Sequence, residues 1–163
     1  MGLITDYKNY FASKAQSHKQ IGNGSSEHFV LTSFDAFEKL KRNNLEWPVM
    51  VLEPPDISVN GPDESQILQK YVGACGVYLQ CSDRNTSIAE AEVLIDESLT
   101  IIEDILAKMR EDAQQAPPHP LLSHFNVRES TMLLIEKPDF IGYRLEFEFS
   151  YAKDYEVNTN QWL

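Results

Sequence analysis

Leu3, Tyr7, Tyr10, Phe11 and Ala15 recur every three or four residues, and this spacing predicts a short amphipathic helix over residues 3–17. The loop formers Ile21-Gly22-Asn23-Gly24-Ser25-Ser26 end it. The run from His28 to Thr32 is short and rich in strand formers, and Ser33 then caps a second helix carrying Phe34, Phe37 and Leu40 on one side. From Trp47 to Glu53 the apolar run is continuous up to Pro54-Pro55, the pattern of a strand covered on both faces. Residues 54–66 read as a long polar loop. Ile67 to Ser82 reads as a strand, with Gly73, Ala74 and Gly76 allowing a bulge or the close approach of another element.

The strongest helical pattern follows. Ser87 and Glu90 form a capping box, and Ile88, Ala91, Ile95, Leu99, Ile102, Ile105, Leu106 and Met109 then mark one apolar stripe up to about Ala113. Pro117, Pro118 and Pro120 stop this helix. Thr131 to Glu136 reads as a strand whose apolar run Met132-Leu133-Leu134-Ile135 is expected in the core. From Tyr143 to Tyr151 large apolar residues alternate strictly with polar ones, a strand with one face on the core and one wet. The expected order is α-β-α-β-β-α-β-β. It implies an α+β fold: an antiparallel or mixed sheet with the long helix and shorter helices packed against one face. Residues 1–152 form a single domain in this reading, and residues 153–163 an extended C-terminal tail.

Composition narrows the function classes. The chain has 163 residues, with 14 Lys+Arg against 25 Asp+Glu, a formal net charge of -11. Such a surface repels polyanions, which argues against gripping nucleic acid through its phosphates. Charges at Asp6, Lys8 and Lys14 interrupt any signal-peptide pattern, and no apolar run is long enough to span a bilayer, so the expectation is a soluble protein without membrane partners. Cys75 and Cys81 lie on one expected strand, roughly 20 Å apart along it, too far for a disulfide. They read as two buried free thiols.

No pattern suggests a catalytic, cofactor-binding or metal site. His18, His28, His119 and His124 are scattered, and Gly22-Asn23-Gly24 lacks the Lys-Ser or Lys-Thr pair of a phosphate-binding loop. Asp63 with Glu64, Glu90 with Glu92 and Glu103 with Asp104 fall on expected solvent faces. Glu146 and Glu148 share a strand face with Arg144 and Ser150, which is either plain solvent surface or an acidic wall in an assembly. The chain therefore reads as a binding protein and not an enzyme. Ile57 and Val59 in the 54–66 segment, and Tyr155, Val157, Trp162 and Leu163 in the tail, are apolar anchors in polar strings, suited to contacts between subunits. Trp162 can dock on its own domain or on a neighbour. On this reading the long helix makes no subunit contact.

The sequence resembles the tail-terminator and head-tail joining proteins of tailed bacteriophages, in the versions found in Bacteroidetes-type prophages and related contractile injection machines. The resemblance rests on the N-terminal helix leading into His18–Gly22, the Ser33–Glu38 helix followed by Trp47–Pro54, the Tyr71–Leu79 strand, the helix from Ser87 and the closing Gly142–Phe149 strand. It implies a small α+β subunit that closes into a homo-oligomeric ring, hexameric in such families. The ring would cap the finished tail tube and meet the head connector, in the bacterial cytoplasm during assembly and then in the virion. It implies no cofactor. The alternative is a small-ligand-binding or regulatory module, and after it a small enzyme.

Overall fold

The computed structural model describes residues 3–25, 27–39, 45–60, 68–81, 86–122 and 130–152. Its elements are α1 (Leu3–Ser17), β1 (Phe29–Leu31), α2 (Phe34–Lys39), β2 (Val49–Leu52), β3 (Asp56–Asn60), β4 (Leu68–Gln80), α3 (Ile88–Gln114), a 3-10 turn (Pro120–Leu122), β5 (Thr131–Lys137) and β6 (Phe140–Ala152). The class is α+β, as the patterning implies. The mixed sheet runs β1-β2-β4-β6-β5, with β3 also paired to β4, and β1-β2 is its parallel pair.

β3 corrects the expected order and the expected loop at 54–66. Pro54-Pro55 reads as a stop, yet β2 and β3 both run antiparallel to the same side of β4. Leu52 pairs with Cys75 and Asp56 with Val72, so residues 53–55 oppose only residues 73 and 74. One extra residue at this bulge lets the chain pass two residues that lack an amide donor and then resume pairing. The polar-apolar alternation from Asp56 to Asn60 is the signature of this strand in the sequence.

Apolar side chains cover both faces of the sheet. On one, α1 and α3 bury Tyr7, Phe11, Ile101, Ile102, Ile105 and Met109 against Met50, Leu52, Cys75, Val77, Leu145 and Phe147. On the other, Phe37 of α2 packs with Val49, Val51, Tyr78 and Phe140. The helices are thus not confined to one face, because Phe34 and Phe37 supply a second apolar layer. All four residues of β2 are buried, as its unbroken apolar run implies. The small residues of β4 admit close neighbours: a Cβ on Gly73 would lie 2.6 Å from the Tyr7 hydroxyl, and one on Gly76 would strike the Tyr78 ring. Tyr7 Oη donates to the Glu53 carbonyl at 3.1 Å, tying α1 to the bulge.

Three further expectations change. Met132 and Ile135 pack at the margins of opposite cores, but Leu133 and Leu134 remain 42% and 40% exposed. β5 is an edge strand, so on each face one side chain, Met132 or Ile135, reaches a core while its neighbour, Leu134 or Leu133, stays partly in solvent. On α3, Ser98 is the first buried residue, and Ile88 is 81% exposed although it lies on the expected stripe. The opening turns of the helix lie beside the end of β4 at Gln80 and are left uncovered. Finally, Cys75 is buried, whereas Cys81, just past the end of β4, is only half-buried. Tyr155, Val157, Trp162 and Leu163 lie outside the described residues, as do His124 and the Asp63-Glu64 pair.

Candidate assembly surfaces

Strand edges are where a sheet can recruit another chain, since their outward amides and carbonyls are unpaired. Among the described residues β5 pairs only with β6, and β3 only with β4. β5 carries Leu133 and Leu134 on opposite faces of the sheet, so a strand added here would extend apolar cover on both. β3 places Ile57 beside Tyr71 in the register, 50% exposed. The anchor expected on a loop therefore sits on an edge strand. Val59 lies two residues further along the same strand.

Glu146 and Glu148 fall on the sheet face that α2 leaves open, in register with Ala74 and Val72. They are not bare acids. Arg144 Nε meets Glu53 Oε1 at 2.5 Å and its Nη1 bonds Glu146, while Lys70 Nζ lies 2.5 Å from Glu148 Oε2. Hydrogen bonding to Glu53, aided by that to Glu146, raises the Arg144 pKa against the opposing cost of burial. Three carboxylates face two cations, so this face is a nearly balanced charge lattice with the half-exposed Val72 among it.

A second polar cluster joins α1 to α3. Asp112 is only 5% exposed, and its carboxylate accepts from Tyr10 Oη at 2.9 Å and lies 2.5 Å from Lys14 Nζ and 3.1 Å from Lys108 Nζ. Burial opposes the charge, but hydrogen bonds from Lys14, Tyr10 and Lys108 outweigh it and hold the carboxyl below its usual range. The His119 ring packs on Tyr10, with centroids 4.7 Å apart, and burial lowers its pKa. These groups consume one another's hydrogen-bonding capacity, the arrangement of a structural lock. A groove of about 410 Å³ beside them is lined by Lys14, His18, Asp104 and Lys108 among others.

The other described histidines pair with neighbouring groups: His18 Nε2 lies 3.4 Å from Asp104, and His28 spans Glu46 and the Pro48 carbonyl, each at 2.8 Å. Among the described residues no three His, Cys, Asp or Glu side chains converge as metal ligands. No described helix is long and apolar enough to cross a membrane. Comparison with protein-family models, curated proteins and solved structures finds no match.

The sequence reading missed Leu133, Leu134 and the exposed start of α3. For α3 a signal existed. Val93 breaks the apolar stripe, and it is 64% exposed.

Proposed function

We propose that this chain is a structural subunit that assembles with copies of itself into a ring of the tail-terminator kind, closing a phage tail tube and meeting the head connector. The observation that supports this reading is the pair of open sheet edges, β5 with Leu133 and Leu134 and β3 with Ile57, on opposite sides of one sheet. Two different edges make a head-to-tail contact, and head-to-tail contacts close into rings when the rotation allows. The acidic balance suits a ring through which DNA slides without being held.

Light scattering and electron microscopy of the protein, alone and mixed with tail-tube protein, test the proposal. Rings are expected, either free or at tube ends. Changing Leu133 and Leu134 together to Lys should abolish them while leaving the melting temperature nearly unchanged, because both side chains are already partly in solvent. Rings that survive the double change would remove β5 from the contact, and a chain that remains monomeric in both settings would end the ring proposal.

A small-ligand module is the second reading, favoured by a groove of about 440 Å³ between the end of β4 and α3, lined by Gln80, Thr86, Ala89, Glu90, Val93 and Leu94. A metabolite that raises the melting temperature, and no longer does so after Val93→Asp, would support it.

A further inference from the structure

We propose that the unsupported start of α3 seats on the first turns of α1 in the next copy of the chain, a contact that rests on the ring reading and adds a helix pair to the sheet edges. Three observations carry it.

The first is apolar exposure. α3 has no buried residue before Ser98, and its opening turns present Ile88 and Val93 largely to solvent beside the groove that ends at Gln80. A cap holds these turns in helical form: Ser87 Oγ accepts from the Glu90 amide at 3.3 Å, and Glu90 Oε2 accepts from the Ser87 amide at 2.9 Å. The apolar surface is therefore presented on an ordered helix.

The second is charge. From Ile88 to Ala107 the helix carries Glu90, Glu92, Asp96, Glu97, Glu103 and Asp104 and no Lys or Arg. Glu92 and Asp96 are exposed and have no ion-pair partner among the described residues. Acids in the first turns also favour the helix dipole, which accounts for Glu90 but not for charges two and more turns along. The matching surface lies on α1, where Ile4 is exposed one turn before the exposed Lys8, itself without an ion-pair partner among the described residues. Apolar residue and charge stand four apart on both helices, Ile88 with Glu92 and Ile4 with Lys8, so each pair lies on one helix face.

The third is position. The α3 overhang adjoins Gln80, the last residue of β4, whereas Tyr7 lies over Gly73 and stacks on Phe149, the partner of Tyr71. Tyr71 and Gln80 are about 30 Å apart along the strand. The acidic start of α3 and the Ile4–Lys8 face of α1 thus lie toward opposite ends of the molecule and cannot meet within one copy. They can meet only head to tail between copies, the geometry that a ring requires.

Charge exchange tests the contact. Glu92→Lys and Lys8→Glu, each alone, should weaken self-association measured by light scattering at low salt by roughly tenfold or more, and the two changes together should restore it. Ile88→Asp should weaken it similarly, with an unaltered melting temperature because the side chain is 81% exposed. Association unchanged by Glu92→Lys and by Ile88→Asp, in chains that melt normally, would overturn this contact and leave the ring to the sheet edges alone. Weakening by each charge change without recovery in the pair would also overturn it. A wild-type chain that is monomeric at its highest soluble concentration and on tail tubes would overturn the contact together with the ring.

Discussion

Ile102→Ala should destabilise the chain by about 2 to 5 kcal/mol in chemical denaturation, because it empties a fully buried site between α3 and the sheet. Ile105 and Leu106 should behave alike, being buried in the same layer. Ile95 should not. It belongs to the same apolar stripe, but it lies before Ser98, where α3 has not yet reached full cover, and it is only partly buried. Its truncation should cost clearly less than that of Ile102. Equal losses at the two positions would mean that the start of α3 is packed within the monomer and offers no exposed surface to a second copy.

Asp112→Ala is expected to cost about 3 kcal/mol, the lower end of what removing one partner of a buried ion pair usually costs. The figure stays low because Lys14 and Lys108 retain part of their side chains in solvent and can rehydrate. Tyr10 would lose its buried acceptor as well. The same carboxylate sets an acid limit on stability. Its folded pKa lies below the unfolded value of about 3.9, so its contribution is complete above that pH and is lost as pH falls through the lower, folded value. His119 acts earlier and with the same sign. Its folded pKa is depressed by burial, so stability is full above about pH 6.5 and falls as the ring is forced to charge below it. Denaturation midpoints measured from pH 8 to pH 3 should therefore show a step near the histidine range and a steeper one in acid. Asp112→Asn should remove the second step and deepen the first, because the Asp112 charge opposes the depression of the His119 pKa; an unaltered acid slope in that variant would show that other carboxylates are responsible.

The fold was largely legible where a residue's surroundings follow from its own strand or helix. From Tyr143 to Ser150 β6 alternates apolar with polar residues, and Leu145, Phe147 and Phe149 are buried as that alternation requires. The four buried residues of β2 likewise follow from its unbroken apolar run. The pattern failed where burial depends on what lies next door. Nothing within Met132-Leu133-Leu134-Ile135 reveals that β5 is an edge strand, and nothing within the α3 stripe reveals where the sheet beneath it stops. β3 was hidden by Pro54-Pro55, because a break in pairing and an end of pairing look alike in sequence. Of the surface residues expected to make contacts, Ile57 is exposed on an edge, while Glu146 and Glu148 have cations that only the neighbouring positions of the sheet, Arg144 and Lys70, bring to them.

β2 also decides how the molecule comes apart. Met50 and Leu52 are fixed in the layer beneath α1 and α3, and Val49 and Val51 in the layer beneath α2. Neither layer can melt without pulling the same four residues out of register with β4. Although α2 has only six residues, it is tied through this strand to the cooperativity of the whole described domain. Loss of the environment around Trp47, which packs on the α2 side, should therefore coincide with loss of helical signal from α3 on the other. A substitution in either layer is felt as one shared loss of stability.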